Sequence, residues 1–350
     1  MSPNNKDKQP MNAQEYLAYL SRKFKQDMIA EQTTNRLDAQ MKREGKPFVS
    51  FDGTCTSGAE VVTEALERPT RIFSRLGSIL AGTDLAVSRN PIIGYLPIRN
   101  LNAVSTIAPN GEPIILLDQV LRLVLHMFTS FLFYLVVETR KRGGLSEVPE
   151  DIRLFVWKAI GAGIRLLLRD NEALGDIREA SRWILHDVPP EIPESGDVLC
   201  DTLVLFIIAH EYAHHFLGHV NPSAMQQYEI SEGQPSLELV VASQAQERAA
   251  DQLALRIFLK CHRPDSDLIS FRHIEEFAYA PLLFFDIVST VEATRRFSER
   301  KIRLHPPALE RKQLLLDQVM PSLDERRRGN CEFFSSILAI TRQTIVSLGL

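Results

Sequence analysis

Leu203 to His219 reads LVLFIIAHEYAHHFLGH, and no other stretch so narrows what the chain can fold into. Leu203 to Ala209 is apolar without a break, and His210-Glu211-Tyr212-Ala213-His214 follows at once. A helix that is apolar all round belongs in a core. The stretch therefore predicts a buried central helix. It is expected to start near Ser195 or Asp197, either of which can cap it, just beyond a Pro-rich segment that begins at Pro189. Gly218 and Pro222 mark its end. Burial alone gives no reason for His, Glu and His in such a helix, because each costs roughly several kcal/mol of desolvation without a partner.

Their spacing supplies the reason. Positions i and i+4 share one helical face, so His210 and His214 can aim both imidazoles at one metal ion. Glu211 is turned about 100° from His210, beside that ion without ligating it, and is placed to take a proton from a water there. A third ligand is expected. His215 is rotated off the metal side and His219 lies five residues past His214. Both read as neighbours of the ligands or as partly solvated side chains near the helix end. Downstream, Glu247 and Asp251 share a face at i, i+4 within a helix-like run from Leu237 to Cys261. Ala249, Ala250 and Ala254 would let that helix approach another closely.

H-E-x-x-H followed by E-x-x-A-D resembles the gluzincin metallopeptidases, most closely the M48 family (the group of the CAAX prenyl endopeptidase and HtpX). Asn102-Ala103, with Pro109 to Leu117, is similar to that family's segment ahead of the active-site helix. His305-Pro306-Pro307 followed by Arg311 is similar to its late H-P-x-x-x-x-R motif. The resemblance implies a zincin-like core with Zn2+ on His210, His214 and Glu247. Three protein ligands leave one position open, as in catalytic zinc sites. It implies Glu211 as general base in peptide-bond hydrolysis and His305 as a donor to the oxyanion. Asp251 would orient His210 through its second ring nitrogen. In the resembling enzymes an edge strand near 103–117 holds an extended substrate by backbone hydrogen bonds; which strand is the edge is not legible here. Two departures stand out. The gap from Leu117 to His210 is longer than the family's, which implies an inserted helical segment covering or shaping the cleft. The family's membrane spans are not evident, which points to a soluble relative.

The remaining chain fits that frame. Met1 to Gln9 is polar and lacks the apolar core of a secretory signal. Met11 to Arg43 has the spacing of an amphipathic helix, read as a helix docked on the body. Phe48 to Gly53 reads as strand and turn, Ala59 to Leu80 as helix, and Pro91 to Leu101 as loop and strand. Asn110-Gly111 between Ala103–Ala108 and Pro113–Leu117 predicts a hairpin. Leu123 to Val137 is apolar but shorter than the about 20 residues of a membrane span, so a core helix is expected. Glu150 to Arg169 and Asn171 to Leu185 are helical patterns and make up the insertion. Asn221 to Pro235 reads as a polar link between the ligand helices. Leu268 to Arg303 reads as a long helix broken at Pro281, with further helices at Leu309–Val319 and Cys331–Leu350.

The fold class expected is α+β, mostly helical, with a small sheet. The segments are 1–95 (helical and mixed, a candidate regulatory region), 96–320 (catalytic, with an insertion at about 140–190) and 321–350 (a C-terminal helix). A net charge of −4 gives no electrostatic case for nucleic acid. Cys55, Cys200, Cys261 and Cys331 form no C-x-x-C and fit a reducing, cytoplasmic compartment. The function expected is a zinc endopeptidase with a restricted protein or peptide substrate and no membrane span; oligomeric state is not legible. The alternatives are a non-enzymatic zinc-binding module with a relic site and a membrane-associated protease.

Overall fold

A computed structural model describes residues 10–24, 34–35, 38–39, 41–43, 45, 48–50, 53–55, 57–96, 103–118, 120–167, 173–186, 188–229, 236–261, 277–294 and 306–349. Among these residues the chain is α+β, 72% helical, with a small mixed sheet.

The sheet comes first because it carries one wall of the site. Strands β3 (Ile92–Leu96), β4 (Ala103–Ile107) and β5 (Pro113–Asp118) take the order β3-β5-β4. β3 runs parallel to β5 and β4 antiparallel to it. The β4–β5 turn falls at Asn110-Gly111, as its sequence predicts, with Gly111 at φ +84°. β4 is therefore an edge strand, and β3 is the opposite edge. Alternation splits the sheet between two cores. Ala103, Ile115 and Leu117 face the main core, while Leu96, Val104, Ile114 and Leu116 face a smaller second one. A separate hairpin, β1 (Phe48–Ser50) with β2 (Gly53–Cys55), precedes helix α2 (Gly58–Leu80).

The main core is built on helices α3 (Leu121–Arg142) and α6 (Glu191–Phe216). Every residue of α6 from Thr202 to His214 is buried, as an all-round apolar helix requires. Around it stand α2, α3, α7 (Gln244–Lys260), α8 (Ala280–Glu292), β4 and β5. Helices α9 (Ala308–Val319) and α10 (Glu325–Leu348) close the far side on α8. One buried cluster runs from Ile72 to Ile345, so all three expected segments contribute to it. By length and composition α3 is a helix that could cross a membrane, and 67% of its most apolar window is buried.

The inserted segment forms α4 (Glu150–Leu167) and α5 (Ala173–His186). Its main partners are α3, α10 and each other rather than the ligand helices, with Trp183 packed against Phe131, Tyr134 and Phe155. It buttresses α3.

Three local expectations are corrected. Helix α6 begins at Glu191, ahead of both expected caps. Pro193 lies in its first turn, where a missing N–H costs no helical bond. Residues 236–240 are strand, not helix. Leu237 and Leu239 alternate inward on β7 (Ser236–Val240), which pairs with β6 (Met225–Glu229), and α7 starts only after the Ser243/Gln246 capping box. Pro281 does not break a helix but opens α8 within its first turn. Residues 262–276 and 295–305, which include the basic end of the expected long helix, lie outside the described residues.

The displaced start frees Asp197 for another role. It accepts from Arg122 (3.1 Å) and Arg68 (3.3 Å) and lies 2.7 Å from His126 Nδ1, and Asp201 accepts from Arg68 (2.7 Å). Burial pushes the Asp197 carboxyl up, but His126, Arg122 and Arg68 outweigh it and hold the group well below the carboxylate range. At Asp201 burial prevails and the pKa is raised. The network locks α6 to α2 and α3. Beside it, a Cβ on Gly196 would lie 2.7 Å from the Ser130 backbone, so the α3–α6 crossing admits only glycine there. Asp197→Ala is expected to lower stability by about 3–5 kcal/mol, since it strands buried cations. Denaturant unfolding checks this. Glu67→Ala, which breaks the exposed pair with Arg71, should change stability by less than about 1 kcal/mol.

Candidate metal centre

The C-terminal turns of α6 present five polar side chains in six residues, and together they meet four different parts of the fold. His210 and His214 face α7. Glu211 faces β4, Tyr212 faces the segment after α2, and His215 faces β5. The Tyr212 hydroxyl donates to Leu85 O and accepts from Val87 N, both at 3.0 Å. His215 Nε2 donates to Ile114 O at 3.2 Å, and burial pushes that imidazole down to about 4, so it stays neutral. These three bonds fix the helix in rotation and height against the sheet and the segment after α2.

On the α7 side the geometry closes into a triangle. His210 Nε2 and His214 Nε2 are 3.1 Å apart, and the Glu247 oxygens lie 3.5 and 3.4 Å from them. Four-coordinate zinc with bonds of about 2.0–2.2 Å has neighbouring ligand atoms roughly 3.4 Å apart. The three donors thus stand at the edges of a tetrahedral site, and all are buried, at 1%, 3% and 1% exposure. Charge points the same way. In the metal-binding form, with both imidazoles neutral, Glu211, Glu247 and Asp251 against Arg311 leave two net negative charges in a buried site. A divalent cation balances them. The residues present therefore fit a metal ion.

The far nitrogens of both imidazoles are also engaged. His210 Nδ1 lies 3.0 Å from Asp251 Oδ1. His214 Nδ1 lies 3.1 Å from His219 Nδ1. Burial and His214 lower His219 to about 4, so it is neutral and its Nδ1 can accept a hydrogen bond from His214 Nδ1–H. Both arrangements direct the Nε2 lone pairs inward. Burial and Arg311 oppose protonation of His210, but Asp251 and Glu247 raise it to about 9. A metal entering the site therefore displaces a proton.

Two roles escaped sequence reading, that of Arg311, named there only as the end of the H-P-x-x-x-x-R motif, and that of Ser105. Arg311 grips Asp251 in a fork, Nε to Oδ2 at 2.9 Å and Nη2 to Oδ1 at 2.6 Å, and lies over the Phe285 ring. Burial raises the Asp251 carboxyl, but Arg311 outweighs it and brings it down to about 2. The signal was present in the sequence. Ala308, Arg311, Leu315 and Val319 form the buried stripe of α9, so an Arg sits on a core face. Ser105 is the other. Its hydroxyl donates to Glu211 Oε2 at 2.7 Å. Strand alternation puts Ser105 on the same face as Ala103, toward α6, but not its register with Glu211. Glu211 Oε1 is buried, with no hydrogen-bond partner among the described residues.

The structure thus brings His210, Glu211, His214, Glu247 and Asp251 together. His305 lies outside the described residues. Family models, curated proteins and solved structures compared with the chain return no match.

Proposed function

We propose that this chain is a zinc-dependent endopeptidase acting on a restricted protein or peptide substrate, on a zincin-like core of the gluzincin kind. The observation that carries the reading is the pairing of the His210–His214–Glu247 triangle with a neighbouring carboxylate that is half anchored and half unengaged. A structural metal site needs no such carboxylate.

His210, His214 and Glu247 would hold the zinc, which supplies a Lewis acid and lowers the pKa of water to about 7. Glu211 does the proton work. Ser105 fixes Oε2, so Oε1 accepts a proton from the attacking water and later delivers it to the leaving amine. Asp251 and His219 hold the two imidazoles in the tautomer that presents Nε2. The β4 edge offers backbone groups to an extended chain beside Glu211, generic in side-chain demand. A role for His305 at the oxyanion rests on its H-P motif alone. Placement in the cytoplasm is supported by Cys200, Cys261 and Cys331, all buried free thiols.

A second reading, a zinc-binding regulatory module without turnover, is favoured by the near-complete burial of all three donors. Metal analysis of the purified chain tests the centre common to both readings. About one zinc per wild-type chain, largely lost in Glu247→Ala, is expected. Zinc retained in full by Glu247→Ala would remove the ligand assignment. Ser105→Ala is expected to lower kcat about tenfold, the cost of one hydrogen bond to a charged group, with KM unchanged. Ser105→Thr should restore it; equal kcat in Ser105→Ala and wild type would leave Ser105 without a role.

A further inference from the structure

We infer that β7 holds the place of the extended substrate on β4, and that helix α1 (Ala13–Lys23) latches it there. The inference rests on the endopeptidase reading and concerns how that site is closed and what it accepts.

Edge strand β4 carries Ser105, which touches Glu211, and the next residue, Thr106, donates to Glu238 O of β7 at 2.8 Å. A strand inserted between β4 and β7 needs about 4.8 Å of clearance on each side. A side chain reaching the β7 backbone directly leaves no such gap, so an incoming peptide must displace β7. The burial of His210, Glu211, His214 and Glu247 agrees with a closed state.

The closure is built to come away. Leu237 and Leu239 of β7 pack with Leu20 and Phe24 of the α1 region and with Val104, Ile114 and Leu116 of the sheet, in a cluster separate from the main core. α1 is held at both ends. Its Ala13 N donates to Glu112 Oε2 on the β4–β5 turn at 2.7 Å, and Lys23 Nζ donates to Ser236 O at the start of β7 at 2.8 Å. In the middle, Leu17 sits where a Cβ on Gly94 would be, 2.2 Å from its Cδ2. A small satellite core with its own ties opens at lower cost than the body it covers. The pattern of β7 also describes what replaces it: an extended peptide with large aliphatic side chains at alternate positions, like Leu237 and Leu239.

The test uses the full zinc-loaded chain and the rate at which excess EDTA removes the metal. Leu20→Asp and Gly94→Leu attack the latch from opposite sides and leave the main core untouched. Each is expected to speed zinc loss about tenfold or more with zinc content unchanged. Hydrogen exchange should show α1 and β7 amides opening together, well before those of α6. Wild-type rates of zinc loss in both variants, or β7 amides protected as strongly as α6, would overturn the latch. A peptide copying Ser236 to Val240 should bind Leu20→Asp and not wild type; binding to neither would overturn the substrate class. Absence of zinc from wild type would sink the endopeptidase reading, and hydrogen exchange would still decide the latch.

Discussion

Glu211→Gln is expected to bind zinc as wild type does and to lose turnover by at least the 10²–10⁴-fold typical of a general acid–base group. The amide is nearly isosteric and can still accept from Ser105, so the helix, the imidazoles and Glu247 stay in place. What disappears is the basic oxygen. Oε1 has no hydrogen-bond partner among the described residues, so its replacement strands no donor there and costs little structure. Zinc analysis beside cleavage of an unstructured protein such as casein separates the effects. Retained zinc with lost cleavage fits the mechanism. Cleavage at the wild-type rate would mean that another group moves the proton. If neither chain cleaves casein while both hold zinc, the same comparison in the latch-released Leu20→Asp background decides between a closed enzyme and a module without turnover.

Arg311→Met is expected to cost about 3–5 kcal/mol of stability, because it leaves Asp251, 0% exposed, as an uncompensated buried charge. Zinc affinity should fall about 10–100-fold, the usual cost of losing a partner behind a ligand, since His210 is oriented by Asp251 and Asp251 by Arg311. Lysine is no substitute, because the fork to both carboxylate oxygens needs a planar guanidinium. The double variant Asp251→Asn with Arg311→Met separates the two losses. Removing both charges should recover much of the stability, and the zinc affinity should stay low. Denaturant unfolding and zinc competition would show it. A double variant as unstable as the sum of the single changes would mean that Arg311 acts through packing on Phe285 instead.

Spacing alone makes Asp251 and Glu247 an acidic pair on one helix face, and their roles as orienter of His210 and third ligand come only with the resemblance. Nothing local distinguishes such a pair from a solvated one. The structure buries both, because α7 lies along α6 at the level of His210 and His214. Ser105 was one residue of a hairpin whose turn was legible at Asn110-Gly111, yet its partner was not. Residues 236–240 were misassigned because five residues with two leucines fit either period. Only their pairing with Met225–Glu229 decides the matter. Asp197 was taken for a cap because it followed a Pro-rich run, and the arginines that claim it lie 129 and 75 residues away.

By itself the sequence determined what depends on neighbours along the chain. It set a buried central helix with two histidines on one face, a tight hairpin before it, a mostly helical chain and a metal-ligand pattern. These follow from helical and strand periods and from turn chemistry, which act over a few residues. The tertiary structure alone decided which partner each buried polar group finds. Ser105 meets Glu211, Arg311 meets Asp251, His219 meets His214, and β7 rather than the insertion lies against β4. Those pairings depend on the register and rotation of elements packed against one another. That is fixed by the shape of the whole core, which no local period encodes.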